Sequence, residues 1–303
     1  MKKCAVIGSI NTDMVARTPR FPAPGESIIG SLFQTEFGGK GANQAIALAR
    51  LGAETRMAGK VGDDLFGRNY LSHFAAEGVN TDSVGVEAGT NTGIADIWVT
   101  DSGENSIVSI PGANAKCDIA WMDAALDALA DCEIFLIQLE IPLETVGHAL
   151  KRLRAMGKTV ILDPAPAAPL PAEWLACADF ITPNETELQI LTGELPEDAP
   201  MEARMRRLID LSGCTVIHKR GAEGAFIGSG AGIQPVPGFS VHAVDTTAAG
   251  DTFNAGLAAG LAMEWPIPQC VRMANAAGAL SVTGLGAQSA MPTMEQIRKE
   301  WGL

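Results

Sequence analysis

The run Asp245-Thr-Thr-Ala-Ala-Gly-Asp251-Thr-Phe-Asn-Ala-Gly256 holds the residues best suited to chemistry. Ala248, Ala249 and Gly250 lead straight into a helical pattern whose apolar positions are Phe253, Leu257 and Leu261. The first turn of a helix leaves backbone N–H groups unpaired and carries the positive end of the helix dipole, so such a place takes an anion. Asp251 falls in that turn. By itself it reads as an ordinary negative charge at a helix start. Beside small residues that let a ligand approach, it also suits a base that deprotonates a hydroxyl attacking phosphate.

Three further segments carry polar groups at the ends of apolar runs. Phe37-Gly-Gly-Lys-Gly-Ala-Asn-Gln-Ala45 is either a tight turn or a set of donors, Lys40, Asn43 and Gln44, offered to a polyhydroxylated ligand that backbone can approach. Asn11 and Asp13 in Gly8-Ser-Ile-Asn-Thr-Asp13 lie just beyond the first strand, in the crevice where open α/β sheets bind ligands. Their alternative is an Asx-turn. Ile181-Thr-Pro-Asn184-Glu-Thr-Glu187 reads first as a capping box, Asn with Glu three residues on.

These segments need a scaffold, and the sequence supplies one. Short apolar β-branched runs at Ala5–Ile10, Arg56–Val61, Ile134–Leu139, Thr159–Asp163, Asp179–Ile181, Thr215–His218 and Ala225–Gly228 alternate with helical patterns such as Leu143, Val146, Leu150 and Leu153. That alternation predicts βα units around a mainly parallel sheet, a three-layer α/β/α fold. Two stretches break the rhythm: Met14–Phe37, with Pro19, Pro22, Pro24 and Gly25, and Asn91–Pro111, with its alternating Ile94, Asp96, Ile97, Trp98 and Thr100. Both read as short antiparallel strands of a small projecting sheet. The expected division is therefore an α/β domain over residues 1–13, 38–90 and 112–303, with a β-sheet lid over 14–37 and 91–111.

Composition removes whole classes of function. The 303 residues carry 35 Asp and Glu against 22 Lys and Arg, a net charge of −13, which disfavours nucleic-acid and anionic-membrane partners. Six scattered cysteines and four scattered histidines offer neither disulfide framework nor zinc spacing. The apolar run after Met1-Lys2-Lys3 ends at Asn11 and Asp13, too soon for a signal peptide, and a cytoplasmic protein is expected. Gly157-Lys158-Thr159 ends like a P-loop, but Arg152 stands where that motif needs Gly and a strand follows it. No G-x-G-x-x-G is present, because Gln44 takes the third glycine position after Gly39 and Gly41.

Taken together, Gly8–Asp13, Phe21–Glu26, Phe37–Ala45, Gly62–Asp64, Gln138–Glu140, Asp163–Pro166, Pro183–Glu187 and Val244–Gly256 resemble the ribokinase branch of the PfkB carbohydrate-kinase family, in family order over nearly the whole chain. The resemblance implies ATP-dependent phosphorylation of a pentose 5-hydroxyl, with Mg²⁺, activation by K⁺, and a lid that pairs two subunits into a homodimer. It implies Asp251 as catalytic base and the N–H groups of Ala248, Ala249, Gly250 and Asp251 as anion hole. Sugar contacts fall to Asn11, Thr12, Asp13, Gly39, Lys40, Gly41, Ala42, Asn43 and Glu140. Nucleotide contacts fall to Asn184, Lys219, Arg220, Gly221, Ala222, Glu223, Gly224, Gly250 and Asn275, and phosphate and Mg²⁺ handling to Glu187. A monovalent-cation loop falls to Asp245, Thr247, Ser281, Gly284, Gly286 and Ala290. The chain departs from the family in four places. Ala248 replaces a Gly of the wider family, an exchange shared within the ribokinase branch and of little cost if its φ is negative. Lys219-Arg220 replaces a smaller uncharged pair, Ala290 a frequent Ser, and Asn275 a frequent His. The readings that compete are a kinase of ribose, a kinase of 2-deoxyribose or of another small sugar or nucleoside, and a non-catalytic sugar-binding sensor.

Overall fold

The computed structural model describes all 303 residues and builds them on two sheets. The strands are β1 (Cys4–Ile7), β2 (Asn11–Thr18), β3 (Leu32–Gly38), β4 (Thr55–Gly62), β5 (Asn80–Glu87), β6 (Gly93–Thr100), β7 (Asn105–Ile110), β8 (Ile134–Ile137), β9 (Thr159–Leu162), β10 (Phe180–Ile181), β11 (Thr215–Lys219), β12 (Gly224–Ser229) and β13 (Gly232–Pro237). The helices are α1 (Lys40–Arg50), α2 (Leu65–Ala76), α3 (Ile119–Ala128), α4 (Leu143–Ala155), α5 (Ala172–Leu175), α6 (Glu185–Leu191), α7 (Met201–Ser212), α8 (Ala249–Ala262), α9 (Ile267–Ser281) and α10 (Met294–Trp301).

The large sheet runs β13-β12-β11-β10-β9-β8-β1-β4-β5, parallel except for the antiparallel pairings of β12 with β11 and β13. Its central strands are apolar on both faces, as burial between two helical layers requires. In β1, Cys4 and Val6 pack into one core with α1, α8 and α9, while Ala5 and Ile7 pack into the other with α3, α4 and α7. Along α4, Val146, Leu150 and Leu153 are buried as their spacing predicts, but Leu143 in the first turn stays exposed. Gly157, with φ 66, then turns the chain into β9.

The small sheet runs β3-β2-β6-β7. Its outer pairs are antiparallel as expected, but β2 and β6 join in parallel, so two chain-distant ribbons fuse into one sheet. It also begins at Asn11, so Asn11, Thr12 and Asp13 lie on its first strand and pair with Gly38, Phe37 and Glu36. Every residue of β7 is exposed, Ile107 and Val108 among them. No helix is long and apolar enough to cross a membrane.

Candidate active site

Strand order reverses at β1, whose neighbours β8 and β4 lead the sheet in opposite directions, and the crevice at such a point is where an α/β sheet binds ligands. The carboxyl ends of five parallel strands feed it. Ser9 and Asn11 follow β1, Gln138 and Glu140 follow β8, Asp163 follows β9, Asn184 follows β10, and Lys219 closes β11. The backbone must come close here: a Cβ on Gly41 would sit 2.6 Å from the Gly8 carbonyl carbon, so only glycine lets α1 start against the loop after β1. Gly39, at φ 88, makes the turn that precedes it.

Asp251 is buried in the first turn of α8, and its two oxygens are held from α1. Asn43 Nδ2 donates to Oδ2 at 3.0 Å and Gln44 Nε2 to Oδ1 at 3.1 Å. Burial raises the Asp251 pKa to about 6; Asp163 adds to the rise, and Lys40 with the two amides opposes it. A carboxylate so tuned is ionised at neutral pH and close to the pKa at which a general base works best. Ala248, the residue before the helix, has φ 58 and ψ 14, the left-handed region. The condition on which Ala would cost little at this position, a negative φ, is therefore not met. Its methyl group is held in a conformation that costs an L-residue about 1–2 kcal/mol, in the turn that aims the following N–H groups.

The acidic end of the crevice holds Asp13, Glu140 and Lys40. Glu140 Oε2 accepts from the Ser9 hydroxyl and, at 3.1 Å, from the Lys40 backbone N–H. Burial raises the Asp13 pKa to about 7, helped by Glu140, Glu36 and Asp251 and opposed by Lys40. Burial also works against the Lys40 ammonium, but Asp251, Glu140, Asp163 and Glu187 together outweigh it and keep Lys40 charged. Asn11 Oδ1 accepts from Asn114 Nδ2 at 2.7 Å, which fixes the amide and leaves its Nδ2 without a protein partner. Asn43 is different: its Oδ1 accepts from Gln288 Nε2 at 2.9 Å while its Nδ2 serves Asp251, so both amide groups are engaged within the protein. Gly41 and Ala42 are buried in packing and offer a ligand no polar side-chain group, and Thr12 is buried beside them.

From Asp251 a cleft of about 900 Å³ opens along Asp163, Glu187, Lys219, Gly250 and Asn275 to Phe239. Gly221, Ala222 and Gly224 line it, but Arg220 and Glu223 do not: they bond to each other at 2.8 Å on the surface. Asn275 borders the cleft, yet its Nδ2 donates to the carbonyls of Val236 and Pro237 and so ties α9 to β13. Asn184 and Glu187 form the full capping box of α6, Glu187 N–H donating to Asn184 Oδ1 at 2.9 Å and Asn184 N–H to Glu187 Oε2 at 2.8 Å. Burial raises the Glu187 pKa, and Lys219 opposes the rise.

No three His, Cys, Asp or Glu side chains cluster closely enough to hold a metal unaided. The carboxylates that border the cleft, Asp163 and Glu187, fit the one or two that Mg²⁺ takes in a phosphoryl-transfer site, where water and substrate phosphate complete its shell. Behind α8, Asp245 pins two loops together: Oδ1 accepts from Thr247 N–H at 2.9 Å and its hydroxyl at 2.6 Å, and Oδ2 from Gly286 N–H at 2.9 Å. Gly284 packs against Ala290. The Ser281 hydroxyl donates back to the Gly278 carbonyl at 2.9 Å, which fixes its hydrogen and leaves the oxygen lone pairs as acceptors.

Two residues, Asp163 and Gln288, escaped the sequence reading as site residues. Asp163 Oδ2 accepts from Gln44 Nε2 at 2.9 Å, which makes Gln44 a bridge between Asp163 and Asp251. Gln288 reaches Asn43 and the Tyr70 hydroxyl from the distant 3-10 turn Gln288–Ala290. Asp163 follows an apolar strand just as Asn11 and Glu140 do, and that position was the signal; for Gln288 the sequence carried none.

A base beside a helix-start anion hole, an open cleft on one side and a set of hydroxyl-binding groups on the other define a site for transferring phosphate to a polyhydroxylated acceptor. The model of the pfkB family carbohydrate kinases matches residues 1–294, and the chain belongs to that family. A ribokinase of Bacillus subtilis is 41% identical over 299 residues, 99% of each chain. A deoxyribokinase of Salmonella typhi is 38% identical over 298 residues, 97% of each chain. The Arabidopsis thaliana ribokinase structure complexed with ribose and ATP matches with a TM-score of 0.92 at 32% identity, covering 98% of both chains.

Proposed function

We propose that this chain is a ribokinase that transfers the γ-phosphoryl group of ATP to the 5-hydroxyl of D-ribose. The observation that carries the reading is Asp251, held by Asn43 and Gln44 beside the first N–H groups of α8. The sugar lies between β2 and α1, its hydroxyls met by Asn11, Asp13, Lys40 and Glu140 and by the backbone of Gly39. Asp251 takes the proton of the attacking hydroxyl, and the N–H groups of Gly250 and Asp251 receive the charge that develops on the phosphoryl oxygens, the Ala249 N–H being engaged with the Thr246 carbonyl. The nucleotide occupies the cleft bordered by Lys219, Gly221, Ala222, Gly224 and Asn275. Mg²⁺, when bound with the phosphates, neutralises their charge and is met from the Glu187 side. K⁺ belongs between the loops that Asp245 joins and steadies the turn at Ala248. Residues 14–37 and 91–111 act as the lid, and two copies meet through it.

Deoxyribokinase is the second reading, favoured by the Salmonella relative at 38% identity. The two separate on the 2-hydroxyl. Groups placed to bond it are left unsatisfied by 2-deoxyribose, and kcat/KM for that sugar should fall ~10²-fold or more below that for D-ribose in a coupled ADP-release assay. Equal efficiency for the two pentoses would remove ribose as the preferred substrate.

A further inference from the structure

Lys219 carries a charge that neither the base nor the sugar end of the site accounts for. Its Nζ lies 3.0 Å from Asp163 Oδ1 and 3.7 Å from Glu187 Oε2, and the side chain is only 12% exposed. The same atom would come within 3.5 Å of a Cβ placed on Gly250, so the ammonium rests against the first turn of α8, whose N–H groups form the anion hole. Of its three N–H donors one is used, in the bond to Asp163. The β11 backbone that delivers it is fixed from two sides, Lys219 N–H donating to the Pro183 carbonyl at 2.8 Å and β12 pairing alongside.

Resting on the kinase reading above, we infer that Lys219 is a phosphate-binding residue, which grips the terminal phosphates of ATP with the donors that Asp163 leaves free. A compact ammonium on a four-carbon stem can keep its bond to Asp163 and still turn its other hydrogens to a phosphate oxygen. Lys40 approaches the transfer point from the sugar side and Lys219 from the nucleotide side. The phosphates therefore meet a fixed cation of the chain itself as well as the helix start, and their attraction to the site does not depend wholly on a metal ion.

Calorimetric titration of the full chain with ATP and with AMP, both in excess EDTA, tests this. AMP lacks the terminal phosphates and serves as the control for the rest of the nucleotide site. Lys219→Met should weaken metal-free ATP about tenfold to a hundredfold, the range of a lost charge-assisted hydrogen bond, and leave AMP within about twofold. Lys219→Arg should restore most of the ATP affinity. Because Lys219→Met leaves Asp163 and Glu187 without their shared cation, the same comparison is made between Glu187→Gln and the double variant Lys219→Met, Glu187→Gln. Equal weakening of ATP and AMP would show that Lys219 only supports the fold of the cleft, and unchanged ATP affinity would show that it does not meet phosphate. Either overturns the inference and leaves the kinase reading standing, as does failure of the unmodified protein to bind ATP in EDTA, whereas failure to bind ATP with Mg²⁺ restored would overturn both.

Discussion

The buried base sets a cost on stability whose sign and size can be measured. Asp251 has an ordinary carboxyl value of 3.8 in the unfolded chain and about 6 in the fold. The folded state binds that proton more tightly. Its contribution is therefore fully present below pH 3.8 and lost as pH rises through about 6. The gap corresponds to about 3 kcal/mol lost between pH 4 and pH 8. Asp251→Asn removes the titration while nearly keeping the shape, though one amide hydrogen must then face the donor of Asn43 or Gln44. That mismatch lowers stability by a similar amount at every pH, so it shifts the difference between variant and natural protein without changing its slope. Asp13, raised to about 7, titrates in both proteins, and the loss of the Asp251 charge eases it in the same direction. Thermal unfolding of the two proteins from pH 4 to pH 8 should show the variant gaining about 3 kcal/mol relative to the natural chain, roughly 5 °C in Tm for a protein of this size. A difference that is flat, or that falls as pH rises, would refute the claim that burial raises Asp251.

Three other outcomes follow from particular residues. Ala248→Gly should raise unfolding free energy by about 1 kcal/mol in urea titrations, because glycine adopts the left-handed conformation of the α8 N-cap without strain; a loss of stability would mean that the methyl group packs usefully. The exposed edge strand β7, with Phe33 on β3 at the opposite edge, should pair two copies, and light scattering at micromolar concentration should give a dimer that Ile107→Glu converts to monomer. A monomer in the natural protein would remove the lid interface. K⁺ titrated against choline should raise kcat, with half-activation at lower concentration in Ala290→Ser, since the added hydroxyl replaces a water ligand; identical half-activation values would show that position 290 does not face the ion.

The parallel sheet was legible because its strands are continuous apolar runs bounded by turns, and every such run became a strand. β5 and β13 were not, for opposite reasons. Asn80-Thr-Asp-Ser-Val-Gly-Val-Glu87 lies at the sheet edge and never shows an apolar stretch, and β13 contains Pro235 and Pro237, which only an edge strand tolerates. The parallel joining of β2 and β6 lay beyond reach, because pairing between residues about eighty apart leaves no local signal. Within the site, residues at strand ends and helix starts were legible by position. What the sequence could not convey is which polar groups are spent on each other. Asn43 and Gln44 look like donors for a sugar, and the structure shows amide hydrogens of both spent on holding Asp251 and Asp163. Arg220 and Glu223, which the resemblance gives as nucleotide contacts, also pair with each other at the surface. Asn184 and Glu187 are both a cap and a wall of the cleft.

The central claim is that Asp251 takes the proton from the ribose 5-hydroxyl as phosphate is transferred. Its direct test is steady-state turnover of Mg-ATP and D-ribose by the natural protein and by Asp251→Asn, with the phosphorylated carbon identified by NMR and ribose affinity measured by calorimetry. The account predicts ribose 5-phosphate formed one-for-one with ADP, a kcat at least ~10²-fold lower in the variant, and ribose binding within a few-fold of the natural value. A variant that keeps its kcat and loses only ribose affinity would show that Asp251 positions the sugar without acting as its base, and phosphate on any other carbon would show that the acceptor hydroxyl is not the one placed against it.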